Sequence, residues 1–523
     1  MTSQTQPRTT RVPLFADVRS WLPIVLLLAT QVGAGLLVWR GPRQDALYLI
    51  LTLVAVVAVF TLVVSRPGPW LLTTLVVLPV QTVVLARAFK AGVPAGALDN
   101  AGTWKELVLV AAVIGLLSLP QGDHRTDDID RVALVLIGLA AAYLVLGSWQ
   151  PGLFPEAPGN AEVLARSFRT NVAFIILFLV VRRLPWTISF DRIVRVVVVM
   201  GVIVAAGSML EYLANDVWRD FVRNWAGVDE YARGALGSAR GGTVRVTVHD
   251  GSGGSTIRAG SFLFSPLTAG FFMLPALGLA LHRFVRRPSP WPAVAAAVIG
   301  TGVVMTGTRS AALGAAVTAL GVLISLPNQW LRERGRATVL TATIIIAGLV
   351  VASMTGIGGR FSSALTGDDP SAEGHRERLA AGIDSMLAHP FGKGLASGPT
   401  VGGADLDEST VISENAYIQV GNELGILGLI LFIALVVMLL VALFRRARAP
   451  TATVLEGGAA AAGLGLAVGG MFLHVWTSIP TAWTFWLIAG LALAPSSPDA
   501  APVRDDDAVS RGRDIHHDRE PVL

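Results

Sequence analysis

The sequence contains no cysteine and, for its length, few charged residues. Without cysteine, no disulfide braces a loop and no thiolate is available as a nucleophile or a metal ligand. Asp, Glu, Lys and Arg make up 15% of the 523 residues, whereas a soluble globular chain carries about 25%. The eight histidines show no spacing typical of a metal site, so no metal or other cofactor is expected.

Hydrophobic residues dominate instead, at 53% of the chain, and they fall into repeated apolar blocks. Each block is roughly 18–22 residues long, which is enough for an α-helix to cross a bilayer. The pattern predicts an all-α polytopic protein of the cell membrane with about 14 transmembrane helices. The predicted spans are residues 21–39, 46–64, 69–88, 104–120, 131–149, 170–184, 191–213, 261–282, 289–306, 308–326, 338–355, 424–444, 453–474 and 480–495.

The predicted organisation alternates membrane parts with two long outer segments. Its parts are a cytoplasmic N-terminal tail (1–20), N-terminal transmembrane helices (21–213), a first long extracytoplasmic segment (214–260), central transmembrane helices (261–355), a second long extracytoplasmic loop (356–423), C-terminal transmembrane helices (424–495) and a disordered cytoplasmic tail (496–523). Alternation at 243–248 predicts a hairpin, and helical spacing predicts a helix at 373–388. Segments this long are usually functional or disordered, and their sequence complexity favours function.

The orientation follows from the short loops, because cytoplasmic loops carry an excess of Lys and Arg. With the N-terminus inside, the inner loops hold sixteen basic residues: Arg66, Arg125, Arg131, Arg182, Arg183, Arg192, Arg195, Arg283, Arg286, Arg287, Arg332, Arg334, Arg336, Arg445, Arg446 and Arg448. The outer loops hold seven, namely Arg40, Arg43, Arg87, Lys90, Lys105, Arg166 and Arg169. Both termini are therefore predicted to be cytoplasmic.

Two arginines lie at the predicted outer ends of membrane helices. Arg258 precedes the span 261–282, and Arg309 occupies the tight turn between two Ala/Gly-rich spans. Each position also suits an ordinary interfacial arginine whose long side chain reaches the lipid headgroups. Because almost no loop separates Arg309 from its flanking helices, we expect its side chain to face an anionic group instead.

A third arginine and a carboxylate belong to the second outer loop. Arg376 lies on the predicted helix at 373–388, and Glu414 opens a polar run that leads into the span 424–444. The alternative interpretation of that run is a solvated first helical turn above the bilayer. Arginines can bind a pyrophosphate through bidentate contacts, and a carboxylate can take a proton from a hydroxyl. Together, these side chains on one face of the membrane favour that chemistry.

Four elements resemble the O-antigen ligase and polymerase family of bacterial membrane glycosyltransferases in their order and spacing. They are RAGSF at 258–262, TGTRSA at 306–311, R…HPFGKG at 376–394 and ENAYIQVGNELGILG at 414–428. The resemblance covers about 250–440, and the N-terminal half matches only in hydropathy. It implies a helical, glycosyltransferase-C-like core, similar to that of the peptidoglycan polymerases of elongation and division.

The resemblance also implies roles for individual residues. Arg258, Arg309 and Arg376 would hold the pyrophosphate of a lipid-linked oligosaccharide donor on an undecaprenyl-type carrier. Asn415 and Tyr417 are expected to contact substrate, and Glu414 is expected to be the catalytic base. The ligases carry a histidine at the position of Glu414, whereas the related peptidoglycan polymerases use an acidic residue. This departure favours a polymerase, or a ligase to an acceptor other than the lipid A core.

The expected function is transfer or polymerisation of the lipid-linked glycan onto a glycan or glycolipid acceptor at the outer membrane face, in cell-surface polysaccharide and cell-wall assembly. Other assembly proteins are candidate partners, and no nucleic acid is expected to bind. The alternatives are a transporter, a lipid-linked-glycan flippase and a non-catalytic scaffold. A transporter would place ionisable residues near the bilayer midplane. Most spans have apolar centres, and Glu211 and Glu456 lie near span ends, which favours the enzyme.

Overall fold

The computed structural model is helical almost throughout the part of the chain that it describes. The described residues are 64, 67–117, 126–154, 160–184, 186, 188–235, 248–249, 255–256, 258–327, 370–398 and 414–494. Their apolar side chains form one large buried cluster and a smaller one. The predicted all-α class is therefore confirmed for these residues.

The helices are numbered in chain order. They are α1 (Pro67–Val77), α2 (Gln81–Lys90), α3 (Ala95–Gly102), α4 (Trp104–Leu117), α5 (Asp128–Trp149), α6 (Ala161–Arg183), α7 (Phe190–Leu213), α8 (Asn215–Arg219), α9 (Val228–Gly234), α10 (Pro266–Arg286), α11 (Pro290–Met305), α12 (Arg309–Ser325), α13 (Pro370–Ala388), α14 (Ala416–Ala447), α15 (Val454–Gly469) and α16 (Ile479–Ala492). Pro151–Leu153 and Ser261–Leu263 form 3₁₀ turns, and Asp220–Ala226 forms a π-helical turn.

Two short strands lie in the predicted first outer segment. β1 (Val248–His249) pairs antiparallel with β2 (Ser255–Thr256), so that Val248 lies opposite Thr256. Their pairing agrees with the predicted hairpin, of which residues 243–247 and 250–254 lie outside the described part of the chain. The helices of the same segment, α8 and α9, pack with α2 in the smaller apolar cluster.

Five helices of the described residues are long and apolar enough to cross a membrane: α5, α6, α7, α10 and α14. A sixth span is formed if α1 and α2, which are bent by 69° at their junction, count as one. Helices α11, α12, α15 and α16 are apolar but shorter. The chain is thus a multi-pass membrane protein, but the predicted count of about 14 spans is not confirmed. The predicted spans 21–39, 46–64 and 338–355 lie outside the described residues, apart from residue 64.

Three helices begin earlier than the sequence predicted. Helix α13 begins at Pro370, and proline is favoured in a first helical turn. The starts of α6 and α14 precede the predicted spans by about two turns, because the two extensions contact each other. Ser167 and Asn171 of α6 donate hydrogen bonds to Glu423 of α14. Such polar contacts are invisible to an average of hydropathy.

Helix α10 is the centre of the bundle, packed against α7, α11, α12 and α15. Small residues allow this close approach, as in other membrane helix pairs. A Cβ atom on Gly278 of α10 would lie 2.7 Å from the Gly458 carbonyl oxygen of α15. A Cβ atom on Gly465 of α15 would lie 2.1 Å from the Thr318 hydroxyl of α12. These contacts fix α12, which begins at Arg309, and α10, which follows the segment that carries Arg258.

Arginines from the predicted inner loops collect at one end of the bundle. Arg183 lies 2.7 Å from Asp130, and Arg446 donates a hydrogen bond of 2.7 Å to the Ala494 carbonyl. Arg448 likewise donates to the Ile324 carbonyl at 3.0 Å. The opposite end comprises the first turns of α6, α10, α12 and α14 and the last turns of α7, α11 and α15. We call it the site end; it is the end predicted to be extracytoplasmic.

Candidate functional site

Glu414, the predicted base, lies just before α14 at the site end. Its side chain is 25% exposed. One carboxylate oxygen lies 2.9 Å from His375 Nδ1, and the other accepts a hydrogen bond from Arg378. Burial acts to raise the pKa of Glu414, but the hydrogen bond from His375 and the charges of His375, Arg378 and His474 outweigh it and lower the pKa. The carboxylate is therefore ionised at neutral pH.

The partners of Glu414 differ from the arginine that the sequence singled out. His375 and Arg378 are three residues apart on α13 and so share one helical face. Arg376 lies on another face and is exposed, and within the described residues it has no ion pair or hydrogen bond. The structure thus brings Arg378 to Glu414. The spacing of His375 and Arg378 was the sequence signal that could have identified them.

Asn415 and Tyr417, the other predicted contacts of this run, fix the start of α14. The Asn415 side chain accepts hydrogen bonds from the Tyr417 and Ile418 amides, at 2.9 and 3.1 Å, and donates to the Met471 carbonyl at 2.8 Å. The Tyr417 hydroxyl donates to the Ala467 carbonyl at 2.8 Å. Both residues attach the first turn of α14 to the end of α15. A substrate contact for either one stays a prediction.

Arg258 and Arg309 meet at the turn between α11 and α12. Arg309 is the first residue of α12, directly after Thr308. The Arg258 guanidinium donates a hydrogen bond of 2.9 Å to the Thr308 hydroxyl, and the Ala259 amide donates to the Met305 carbonyl at 3.2 Å. Arg258 therefore contacts the residue directly before Arg309, although the two arginines are far apart in sequence. Their role in holding a pyrophosphate stays a prediction.

A buried frame holds the segment that carries Arg258. One oxygen of Glu211 accepts hydrogen bonds from the Gly260 and Ser261 amides, at 2.8 and 2.7 Å. Ser261 has the left-handed φ of 52°, and its hydroxyl donates to the Val204 carbonyl at 2.7 Å. A Cβ atom on Gly260 would lie 2.7 Å from the Ser265 nitrogen. Sequence reasoning missed this role of Glu211, whose amide partners are 49 and 50 residues away.

Contacts across α10 and α15 connect the arginine turn to Glu414. A Cβ atom on Gly270 of α10 would lie 3.2 Å from the Thr306 hydroxyl of the arginine turn. Its neighbour Phe271 packs against Gly469 of α15. The next residue, Gly470, accepts a hydrogen bond of 2.9 Å from the Ala416 amide. The two charged groups are therefore at the same end of the bundle.

A cleft of about 390 Å³ opens at the site end between the starts of α6 and α10 and the segment before α16. Arg166 and Arg169 of α6 line one wall, and Thr268 of α10 lines another. His474 also lines the cleft, and its charge contributes to the lowered pKa of Glu414. Glu414 itself does not line the cleft, which opens at the same end of the bundle and could receive a polar ligand. Among the described residues, no group of three or more His, Asp or Glu could hold a metal ion.

A second carboxylate, Glu423, lies two turns further along α14 and is fully buried, with 1% of its surface exposed. Its donors are the side chains of Asn171 at 2.6 Å, Ser167 at 3.2 Å and Gln419 at 3.3 Å, together with the Gly398 backbone. All of them are neutral. Glu423 thus joins α6, α14 and the segment before Gly398.

The HPFGKG turn docks into a kink of α14 next to Glu423. Gly425 has a φ of 74°, which L side chains rarely adopt, and it interrupts the helix. The Ile426 amide beyond the kink donates a hydrogen bond of 2.9 Å to the Pro390 carbonyl. A Cβ atom on Gly392 would lie 2.5 Å from the Gly425 nitrogen. The glycines of this motif therefore serve close backbone packing.

The helices and this charged site define a multi-pass membrane protein with a polar, cationic site at one end of its bundle. Residues 294–433 match the family model described as O-antigen ligase. This segment is therefore similar to the O-antigen ligase family, which confirms the resemblance drawn from the sequence motifs. It includes Arg309, Arg376 and Glu414. Among curated proteins, none matches the chain.

Proposed function

We propose that this protein is a glycosyltransferase of the bacterial plasma membrane. It transfers or polymerises a polyprenyl-pyrophosphate-linked glycan onto an acceptor hydroxyl at the outer face. One observation carries the proposal: an ionised carboxylate, Glu414, lies at the same end of the bundle as Arg258, Arg309 and an open polar cleft. The family match over 294–433 supports a role in membrane glycan assembly.

In the proposed reaction, the acceptor oxygen attacks the anomeric carbon of the donor sugar and forms the new glycosidic bond. The bond from that carbon to the pyrophosphate oxygen breaks, and its electron pair leaves with the polyprenyl pyrophosphate. Glu414 accepts the proton of the attacking hydroxyl. General-base assistance of this kind contributes roughly 10²–10⁴ in rate.

The arginines stabilise the leaving group. A guanidinium stays protonated and offers paired donors that match phosphate oxygens, so Arg258 and Arg309 can hold the developing charge without a proton transfer. The frame around Glu211 fixes the Arg258 segment before substrate arrives, which lowers the cost of reorganisation. Arg376, exposed on α13, is proposed to assist at the entrance of the site.

The test uses the purified full-length protein in lipid nanodiscs, with a polyprenyl-pyrophosphate-linked oligosaccharide as donor and an acceptor glycan. We expect a new glycosidic linkage and release of polyprenyl pyrophosphate. Arg258→Ala and Arg309→Ala should each lower the transfer rate by about 10²–10³, which is typical for the loss of one preorganised charge contact. A ladder of products would indicate a polymerase, and a single addition would indicate a ligase.

The matched control is Arg131→Ala, which removes an equally charged but exposed side chain at the opposite end of the bundle. It should leave the transfer rate unchanged. Unchanged donor affinity and rate in Arg309→Ala would contradict the phosphate assignment. Movement of intact donor across proteoliposome membranes, with no linkage formed by any preparation, would contradict the enzyme and favour the flippase.

A further inference from the structure

The cleft at the site end is lined by two arginines that the proposed pyrophosphate site does not use. Arg166 lies 3.2 Å from Glu162, whose side chain is 74% exposed. Arg169 and Lys105 share one carboxylate, Glu106, at 3.4 and 3.2 Å. Arg166, Arg169 and His474 line the cleft, whereas Lys105, Glu106 and Glu162 do not. Because one of those carboxylates is largely in solvent, the wall formed by α6 attracts anions.

The two arginines of this wall project from one face of α6. Arg166, Arg169 and Thr170 are separated by three and four residues, so they project from the same side of α6. All three line the cleft. The opposite face of the same turns carries Ser167 and Asn171, which are bound to the buried Glu423. The arginine face is therefore held in a fixed orientation toward the cleft.

The rest of the lining suits a sugar. Hydroxyl groups come from two further elements: Ser265 and Thr268 near the start of α10, and Thr477 and Ser478 before α16. Leu267, which is 37% exposed, adds an apolar surface. Hydroxyl and apolar side chains together match the polar edges and apolar faces of a glycan ring. The volume of about 390 Å³ lies within the ~300–1,000 Å³ range of small-molecule sites.

The cleft is connected to the proposed base but lies on a different side of α10 from the arginine turn. Met471 accepts the hydrogen bond from Asn415, the residue next to Glu414, and His474 three residues later lines the cleft. On α10, Gly270 faces the turn at 306–308, whereas Thr268 and Phe271 face the cleft. Donor and acceptor can therefore occupy separate places that meet at Glu414.

We propose that this cleft is the acceptor subsite, and that it binds a glycan bearing an acidic group, which Arg166 and Arg169 hold while a sugar hydroxyl reaches Glu414. This inference rests on the proposed function. An anionic lipid headgroup could also be drawn to the arginines, but the hydroxyl-rich walls and the adjacent base favour a glycan with a free hydroxyl.

The experiment measures binding first, without donor, so that it does not depend on transfer. The probe is a short oligogalacturonide, which carries one carboxylate per sugar, and its carboxyl-reduced form is the neutral comparison. We expect the full-length protein in phosphatidylcholine nanodiscs to bind the acidic probe about tenfold or more tightly than the neutral one, as one charge-assisted contact would predict. Added salt should weaken only the acidic probe.

The variants are Arg166→Gln, Arg169→Gln and the charge-retaining Arg166→Lys, with Arg131→Gln as the control at the opposite end. Each Gln variant should weaken binding of the acidic probe about tenfold, with little effect on the neutral probe or on donor affinity. Arg166→Lys should retain most of the preference. Arg166 is half exposed and has one exposed partner, so its replacement leaves the fold intact even if Arg169→Gln perturbs Glu106.

Three outcomes would overturn the inference. The first is equal affinity for the acidic and neutral probes. The second is binding of the acidic probe that Arg166→Gln does not weaken. The third is loss of acidic-probe binding when the protein is placed in phosphatidylglycerol nanodiscs, which would assign the cleft to lipid headgroups. Acidic-probe binding without any transfer would refute the proposed function and leave the acidic-glycan subsite standing. Glycan transfer with an acceptor KM that neither Arg166→Gln nor Arg169→Gln changes would support the proposed function and refute the acidic-glycan subsite.

Discussion

Two carboxylates stand nine residues apart at the start of α14, and their surroundings are opposite. Glu414 is a quarter exposed, contacts His375 and Arg378, and lies at the end of the bundle where the cleft opens. Glu423 is fully buried and accepts hydrogen bonds from neutral groups alone among its described partners. A ligand can therefore reach Glu414 and displace its cationic partners, whereas nothing can reach Glu423 unless the bundle opens.

The difference teaches which acidic residue of the run carries out chemistry and which maintains structure. A residue that transfers a proton must touch substrate, and cations around it keep it ionised. A buried carboxylate with several donors instead fixes the elements that supply them, because an unsatisfied buried polar group is costly. These surroundings support the proposal that Glu414 is the base, and they give Glu423 a positioning role.

The largest expected effect is on stability, at Glu423. Glu423→Ala would leave the Asn171, Ser167 and Gln419 donors unsatisfied in the bundle interior, so the free energy of unfolding should fall by at least about 3 kcal/mol. The measurement is the thermal midpoint of the protein in detergent. Asp128→Ala, an exposed carboxylate at the opposite end, should cost under about 1 kcal/mol. Equal thermal midpoints for Glu423→Ala and Asp128→Ala would contradict the structural role of Glu423.

Replacing Glu414, the proposed base, by histidine should change the pH dependence of kcat/KM. A histidine has a pKa of about 6.5, so Glu414→His should introduce an acid limb in kcat/KM at or below about pH 6.5, where the wild type is flat. The nearby Arg378 would lower the histidine pKa and move the limb down. The rate at pH 8 should exceed that of Glu414→Gln by at least about tenfold. A wild-type pH profile in Glu414→His would mean that residue 414 does not take the proton.

His375 and Arg378 should set the pH below which the wild-type activity falls, because that fall reports protonation of Glu414. The pKa is held below its ordinary value of 4.5, so the carboxylate stays ionised above that pH and activity falls only under more acid conditions. His375→Gln removes a hydrogen bond and a charge, which should raise the Glu414 pKa and shift the limb to higher pH. Glu377→Gln, on another face of α13, is the control. No shift in His375→Gln would show that this contact does not persist in solution.

The smallest expected effect concerns Asn415. Asn415→Ala removes the cap of α14 and should lower the free energy of unfolding by about 1 kcal/mol. If its role is limited to capping, the KM for donor and acceptor should change by less than about twofold in the folded fraction. Asn415→Asp, which keeps the capping oxygen, should restore the midpoint. A KM rise that persists in Asn415→Asp would support the predicted substrate contact.

The sequence predicts the arrangement of this molecule unevenly. Periodic apolar blocks predict helices well, since lipid-facing and core-facing residues are both hydrophobic, and most predicted spans between 69 and 326 coincide with helices. Extensions above the bilayer escape prediction, because residues 161–169 and 416–423 are polar and depend on each other's side chains. The early start of α6 is one example of such an extension. The kink at Gly425, where the HPFGKG turn packs, also depends on tertiary contacts.

Within the candidate site, motifs predict the residue types better than their partners. RAGSF and TGTRSA identify Arg258 and Arg309, but the contact of Arg258 with Thr308 spans 50 residues, which spacing alone cannot reveal. The motif indicates Arg376 as a pyrophosphate ligand, which stays a prediction, but it does not reveal that Arg378 contacts Glu414, because the face of α13 that meets Glu414 depends on tertiary packing. In the sequence, Arg166 and Arg169 contribute only to the charge of the outer loops, since the cleft that they share with His474 exists only after folding.

The most direct test is the turnover of Glu414→Gln at saturating donor and acceptor, compared with the wild type at pH 7. Glutamine keeps the shape and loses the base, so we predict that kcat falls by about 10²–10⁴ while donor affinity and the thermal midpoint change little. A kcat within about threefold of the wild type would contradict the assignment, because general-base assistance is worth far more than that.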